Sequence, residues 1–269
     1  MTKFQDRAYL TGQQYSGANN LSARIRLHEQ FTVTDVDLHR YLFDLLLAAA
    51  GSHAGVLEVG AGRGDLWRKN SDRVPAGWNV TLTDLSDGML VDNRAYMGEL
   101  AARFTYQQAD AAALPFPDAA FDVVIANYML YHVPDLPGTV RELRRVLRPG
   151  GVLMAATNGH NHMTEMNALA VRAGIIAETE ASGLMGVHLV FTLQDGAQTL
   201  GAAFDDVARL DYPTHLRVTE AQPLIDYMLS MVDRAAPEKI TALRALIEAE
   251  IAANGAIHIR KETGVFLAR

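Results

Sequence analysis

Residues 56–65, VLEVGAGRGD, constrain this chain more than any other stretch. An apolar run carrying one acid, Glu58, leads into three glycines at alternate positions, Gly60, Gly62 and Gly64. A buried strand that ends this way usually opens a helix, and the absent side chains let the backbone approach a ligand closely. A tight strand-to-helix turn with no ligand is the competing reading of the motif by itself.

The surrounding rhythm extends the unit. Residues 55–59 read as a strand, followed by the glycine turn and a helix to about Ser71. Residues 79–83 form a second strand ending at Asp84, with a helix over 86–97, and 104–108 a third strand ending near Asp110. The nearly continuous apolar run 121–126, FDVVIA, suits a central parallel strand covered on both faces. A helix is expected over 137–147, with Val140, Leu143 and Leu147 on one face, and Gly150-Gly151 separate it from a fifth strand over 152–156. Repeated strand–helix alternation predicts an α/β fold with a doubly wound parallel sheet.

Two amphipathic helices precede the sheet. One starts at Asn20 with Leu21, Ile25 and His28 on a face; the other spans 37–50 with Tyr41, Leu42, Leu45 and Leu46 inward and Gly51 at its end. The rhythm breaks after Asn158, and residues 158–200 read as an inserted helical lid or substrate wall. A strand within 206–218, helices over 220–232 and 238–253, and a terminal hairpin or strand over 256–268 follow. The expected division is a helical cap, 1–50, and a sheet domain, 51–269, that carries the lid.

The identity of the ligand follows from charge. In a nicotinamide fingerprint, G-x-G-x-x-G or G-x-G-x-x-A, the sixth position packs helix on strand closely. Counted from Gly60, that position is Asp65, and the extra glycine stands at Gly64. Glu58 at the strand end repels a pyrophosphate and suits a cation. S-adenosylmethionine has a sulfonium, an α-ammonium and no phosphate, so the electrostatics favour it. Asp84 at the second strand tip can accept both ribose hydroxyls; helix capping is its alternative role, one that Ser86 can also fill. Asp110 can receive an adenine amine, with the Ala111 amide facing a ring nitrogen, or it is an exposed loop acid.

Composition narrows the partners. A formal net charge of −7 argues against a nucleic-acid footprint, which needs clustered Lys and Arg. The chain has no cysteine, so disulfides, thiolate metal sites and a cysteine nucleophile are excluded. The polar opening MTKFQDRAYLTGQQYSG predicts no signal peptide, and no apolar run reaches a membrane span, so the expected location is cytoplasmic.

LEVGAGRGD, TLTDLSDGML, QADAAALPFPDAAFDVVIANYMLYHVPD and RELRRVLRPGGVLMAATN resemble, in order and spacing, the motifs of class I S-adenosylmethionine-dependent methyltransferases, especially those acting on small molecules. The resemblance covers roughly residues 55–158, and YSGANNLSARIRLHEQF is similar to the N-terminal cap helix of some members. It implies a Rossmann-like seven-stranded sheet whose last strand is inserted antiparallel. It also implies that Glu58, Gly60, Gly62 and Gly64 hold the methionine part and that Asp84 binds the ribose. Leu85 would pack on the adenine, Asp110 and Ala111 would read its edge, and Asn127 would approach the methionine end by its backbone. Tyr15 in the cap is a further carry-over. Arg24 is a candidate for the cofactor carboxylate, against a structural or surface role.

For the chemistry, His132 is a candidate general base, or a structural or substrate-shaping residue. His160, His162 and Glu165 invite a metal reading, but no further ligand is evident and no metal is expected. His28 and His188 are pocket candidates or ordinary core and surface residues. Met129, Met154, Met163, Met166 and Met185 fill core space or line an apolar acceptor pocket. The arginines of RELRRVLR read as a solvated helix face. The leading function is methylation of a small molecule of bacterial secondary metabolism on O, N or C, by one chain or a homodimer. The alternatives are RNA or protein methylation, or a cofactor-binding protein with a regulatory or non-methyl reaction such as a cyclisation.

Overall fold

Helix α1 (Asn19–Phe31) leads into β1 (Thr32–Val33), α2 (Leu38–Ala50) and β2 (His53–Val59) in a computed structural model that describes residues 19–181, 189–232 and 235–269, the side chains of 19–23 and 180 excepted. There follow α3 (Asp65–Arg68), β3 (Gly77–Asp84), α4 (Asp87–Met97), β4 (Phe104–Gln108), β5 (Phe121–Ile125), α5 (Leu136–Val146) and β6 (Leu147–Asn158). The remainder comprises α6 (Glu165–Arg172), α7 (Gly196–Leu200), β7 (Val207–Asp211), β8 (Thr214–Val218), α8 (Ala221–Leu229), α9 (Pro237–Asn254), β9 (Ile257–Lys261) and β10 (Thr263–Ala268).

Among the described residues the strands form two sheets. The larger has the order β4-β3-β2-β5-β6-β10-β7, with β10 antiparallel to both β6 and β7 and the pairs from β4 to β6 parallel. This is the expected α/β, doubly wound, seven-stranded Rossmann-like sheet with an antiparallel last strand. Its strands are buried on both faces, Val56, Leu57, Val123, Val124, Leu153 and Val265 being shut from solvent, which explains their unbroken apolar runs. Caps fix the helix starts: Asp37 accepts the His39 and Arg40 amides, Ser86 that of Met89, and Asp135 that of Gly138.

The smaller sheet, β1-β8-β9, is antiparallel and belongs to a separate core. Leu27 and Phe31 of α1 join Met163, Met166 and Leu169, Leu216 and Val218, Leu224 and Met228, and Leu243 and Ile247 there. Helix α1 packs on α8, whereas α2 packs on α3 and the large sheet. Three stretches far apart in sequence thus share this second core.

Several local expectations change. The helix after the glycine turn stops at Arg68 instead of about Ser71. The single strand expected within 206–218 is two strands in different sheets, broken at Tyr212-Pro213, where proline has no N–H for a ladder. Likewise β9 and β10 are no hairpin: the chain passes from the small sheet to the large one at Glu262. The two crossings lie together, Tyr212 N–H donating to Thr263 O at 2.8 Å. Finally, Arg145 is no solvated face residue. It bridges Glu142 and Asp118, each at 2.7 Å, and donates to the carbonyls of Leu114 and Phe116.

Candidate active site

At the carboxyl end of β2 the three glycines take φ values of +65°, +54° and +90°. These left-handed values suit glycine, and two positions leave no space either. A Cβ on Gly60 would stand 2.9 Å from Met129 Cβ, and one on Gly64 2.7 Å from Asn93 Nδ2. Asn93 needs that place: it donates to Gly62 O at 2.9 Å and accepts from Tyr106 Oη at 3.1 Å. The turn is also tied to β3, Ala61 N–H donating to Thr83 O (2.9 Å) and Gly62 N–H to Asp84 Oδ2 (3.0 Å).

Three carboxyl groups surround this turn. Glu58 is 4% exposed and accepts from Trp67 Nε1 at 2.6 Å. Burial, aided by the negative charges of Asp84 and Asp65 and opposed by the Trp67 bond, pushes its pKa up to about 8. Asp84 is raised by burial as well, against the amides of Ser86, Gly62 and Leu85 that favour its charge. The base inside the turn, Arg63, is locked to Asp65 by bonds of 2.6 and 3.1 Å and lies 4.4 Å over the Tyr96 ring. Arg63 and Asp65 thus neutralise each other, and the cradle keeps Asp84 and an ionisable Glu58 with no free cation of its own.

The neighbouring strand ends complete the floor. Leu85 is half-buried, its carbonyl accepting from Gln108 Nε2 at 2.9 Å. Asp110 Oδ1 accepts the Ala112 amide at 3.0 Å beside buried Ala111. Past β5, Asn127 Oδ1 is buried with no hydrogen-bond partner among the described residues, and so is the hydroxyl of Tyr128, a residue at φ +56°. His132 closes the short 3₁₀ turn Leu130–His132, its ring 4.5 Å from that of Tyr131.

Other predicted residues lie elsewhere. Arg24 donates from Nε and Nη2 to the hydroxyl and carbonyl of Ser230, each at 3.0 Å, at the end of α8. His160 is exposed against Asp195 and Thr192, while His162 is buried and accepts the Glu262 amide at 3.2 Å. Glu165 accepts the Arg260 amide. Among the described residues no three His, Asp or Glu side chains gather as a metal site. Met154, Met163 and Met166 are core residues. Tyr15, Met185 and His188 lie outside the described residues.

These residues fit S-adenosylmethionine. Left-handed glycines open the backbone, a half-buried Asp84 keeps lone pairs for hydroxyl donors, ionisable Glu58 suits a cation, and Asn127 Oδ1 awaits a donor. Residues 57–155 match the family described as "Methyltransferase domain". Residues 57–155 carry a methyltransferase domain. Similar proteins include the ubiquinone/menaquinone biosynthesis C-methyltransferases UbiE of Shewanella sediminis, 36% identical over 45% of this chain and 50% of that protein, and of Paracoccus denitrificans, 40% identical over 42% and 45%. The chain spans about half the length of the curated relatives it matches. Among solved structures, the [4+2]-cyclase SpnF aligns with a TM-score of 0.58 at 18% identity, covering 96% of this chain and 94% of that one. Haemonchus contortus phosphoethanolamine N-methyltransferase 2 in complex with S-adenosyl-L-methionine aligns at 0.59 and 16% identity, covering 100% and 60%. At these identities the structural likenesses speak for the fold.

Within this methyltransferase domain, sequence reasoning missed Trp67 and Asn93, which hold Glu58 and pin Gly62, while Met129, expected near the site, abuts Gly60. The signal for Trp67 was present: a carboxyl inside an apolar strand needs a donor, and an indole N–H one turn into the next helix can supply it. Asn93 carries no such signal, being one polar residue in a polar helix.

Proposed function

We propose that the chain transfers a methyl group from S-adenosylmethionine to a small molecule. The observation that carries this reading is that Asp84 and an ionisable Glu58 face a glycine turn whose one cation, Arg63, is already taken by Asp65. Such a turn repels a pyrophosphate and welcomes a sulfonium and an ammonium. S-adenosylmethionine supplies an electrophilic methyl group on a good leaving group. The protein's part is to bind, orient and exclude water. Gly60, Gly62 and Gly64 admit the methionine part beside Glu58. Asp84 holds the ribose, Leu85 packs on the adenine, and Asp110 with Ala111 reads its edge. Asn127 approaches the methionine end, and His132 stands ready as a base. The C-methyltransferases among its relatives support carbon as the accepting atom.

Calorimetry with S-adenosylmethionine and S-adenosylhomocysteine tests the cofactor; binding of NADH in place of both overturns the reading. Transfer of isotopically labelled methyl to a panel of phenols, enols, amines and RNA tests the acceptor. His132→Ala should lower turnover far more than cofactor affinity, and unchanged turnover removes it as a base.

A further inference from the structure

A second group of ionisable side chains lies outside the glycine cradle, with His162 buried and His28 and Lys261 half-buried. His28 of α1, His162 of the turn after β6, and Lys261 at the end of β9 lie close enough that His28 feels the charge of both others and His162 that of Lys261. Hydrogen bonds hold the three segments together. Glu262 N–H donates to His162 Nδ1 (3.2 Å), Met163 N–H to Arg260 O (2.9 Å), and Lys261 Nζ to Thr32 Oγ1 (3.4 Å) at the exit of α1. The cluster adjoins the active edge of the large sheet. Thr263, two residues beyond Lys261, donates to Asn158 Oδ1 at 3.1 Å, at the carboxyl end of β6. Tyr128, past the end of neighbouring β5, is bonded through its amide to Ala156 of that same strand.

What distinguishes this cluster is the absence of its counter-charge. Among the described residues Lys261 has no ion pair. Asp37 acts on it through space, but the Asp37 carboxylate is taken by Lys69 Nζ (3.0 Å) and the His39 amide (2.8 Å). Adjacent Glu262 gives its oxygens to the Asn161 amide (2.7 Å) and Gln194 Nε2 (2.8 Å). Among the described residues His28 Nδ1 is shut from solvent with no hydrogen-bond partner, its ring edge-on to Tyr227, and the Tyr128 hydroxyl is likewise unpartnered. Burial pushes Lys261 down to about 8 and His162 to about 3, Lys261 adding to the effect on both histidines. Polar groups withdrawn from water are ordinarily satisfied, and a cation partly withdrawn from water is ordinarily paired.

We propose that this cluster receives the acceptor, and that the acceptor carries an acidic oxygen (a phenol, enol or carboxylic acid) held as its anion by Lys261 Nζ, with His28 Nδ1–H as a second donor. An ionised phenol or enol is electron-rich at oxygen and at its conjugated carbon, which suits it to accept a methyl group. The proposal rests on the methyl-transfer reading only in naming the bound molecule an acceptor; the anion site stands on its own contacts.

The test uses the full chain, with and without S-adenosylhomocysteine, and the probes 4-nitrophenol and its uncharged methyl ether 4-nitroanisole. Expected is binding of 4-nitrophenol as the coloured phenolate, at a pH where the free probe is largely protonated, with 4-nitroanisole at least about ten-fold weaker. Lys261→Met should weaken 4-nitrophenol by about ten-fold or more and abolish the colour shift, and Lys261→Arg should retain both. S-adenosylhomocysteine affinity, read by calorimetry, should stay within about two-fold in both variants, which also reports their folding. Equal affinity for the two probes, binding of neither, or an unaltered Lys261→Met overturns the proposal. Phenolate capture in a chain that ignores S-adenosylhomocysteine upholds the anion site and sinks methyl transfer alone.

Discussion

The glycine cradle gathers carboxyl groups, Glu58, Asp65 and Asp84, whereas the cluster where α1, β9 and the turn after β6 meet gathers His28, His162 and Lys261. Burial acts on both by disfavouring charge, raising Glu58 and Asp84 and lowering His28, His162 and Lys261. The cradle is made within one strand–turn–helix–strand unit whose carboxyl groups are held locally, Glu58 by Trp67 and Asp84 by the amides of Gly62 and Ser86. The basic cluster joins segments more than two hundred residues apart and leaves donors and acceptors open. One region thus suits a cationic ligand and the other an anionic one, and variants should separate them.

The largest separation is expected from Gly64→Ala. A side chain at φ +90° costs about 1–3 kcal/mol. It also pushes Asn93 from Gly62 O and Tyr106, each bond contributing about 1 kcal/mol. S-adenosylhomocysteine affinity by calorimetry should fall by about 100-fold or more, while 4-nitrophenol binding holds. Loss of both together would mean the two regions are one cooperative site. Next comes Asp84→Asn, which keeps one acceptor for the Gly62 and Ser86 amides but loses the charge and the other oxygen. A weakening of about 1–3 kcal/mol in cofactor binding is expected, and unchanged affinity removes Asp84 from the ribose.

How much of this could be read beforehand follows the same division. Gly60, Gly62, Gly64, Glu58 and Asp84 stand out because their geometry is local: a strand, a turn and the tip of the next strand lie within thirty residues. The doubly wound sheet is legible for the same reason, as each β–α unit carries its own apolar period. The small sheet is not, because β1 is two residues long and its pairing with β8, itself paired to β9, is chosen by a core that α1, α6, α8 and α9 build jointly. A break such as Tyr212-Pro213 shows where a strand stops but not that the chain changes sheets there. Lys261 in HIRKETG gives no hint of burial, since lysine is usually exposed.

Glu58 offers a sharper test through pH. Its folded pKa of about 8 lies above the ordinary 4.5, so its contribution to stability is complete below about 4.5 and is lost as pH rises through about 8. Thermal melts of Glu58→Gln should therefore fall less steeply than wild type across that window. The cation should reverse the balance by favouring the carboxylate. At pH 7, S-adenosylmethionine binding should release a proton, measurable by calorimetry in buffers of different ionisation enthalpy. Glu58→Gln should release none. A wild type that also releases none would show that the cradle senses the ligand's shape and not its charge.

The smallest effect belongs to the seam between the regions. Glu29 of α1 lies 3.7 Å from Arg63 in the glycine turn and 3.9 Å from Lys69, and its side chain is 48% exposed. Pairs of this kind contribute about 0–1 kcal/mol and weaken with salt. Glu29→Gln should accordingly shift the melting temperature by no more than a degree or two at low salt and less at high salt. Its value lies in coupling. His28 precedes Glu29, so the same turn of α1 touches the basic cluster and reaches the acidic cradle. If cofactor binding orders that turn, S-adenosylhomocysteine will tighten 4-nitrophenol binding in the wild type and do so less in Glu29→Gln, measured as the ratio of probe affinities with and without cofactor. Equal ratios in the two proteins would mean that the acidic and basic sites share an edge of the sheet but act independently.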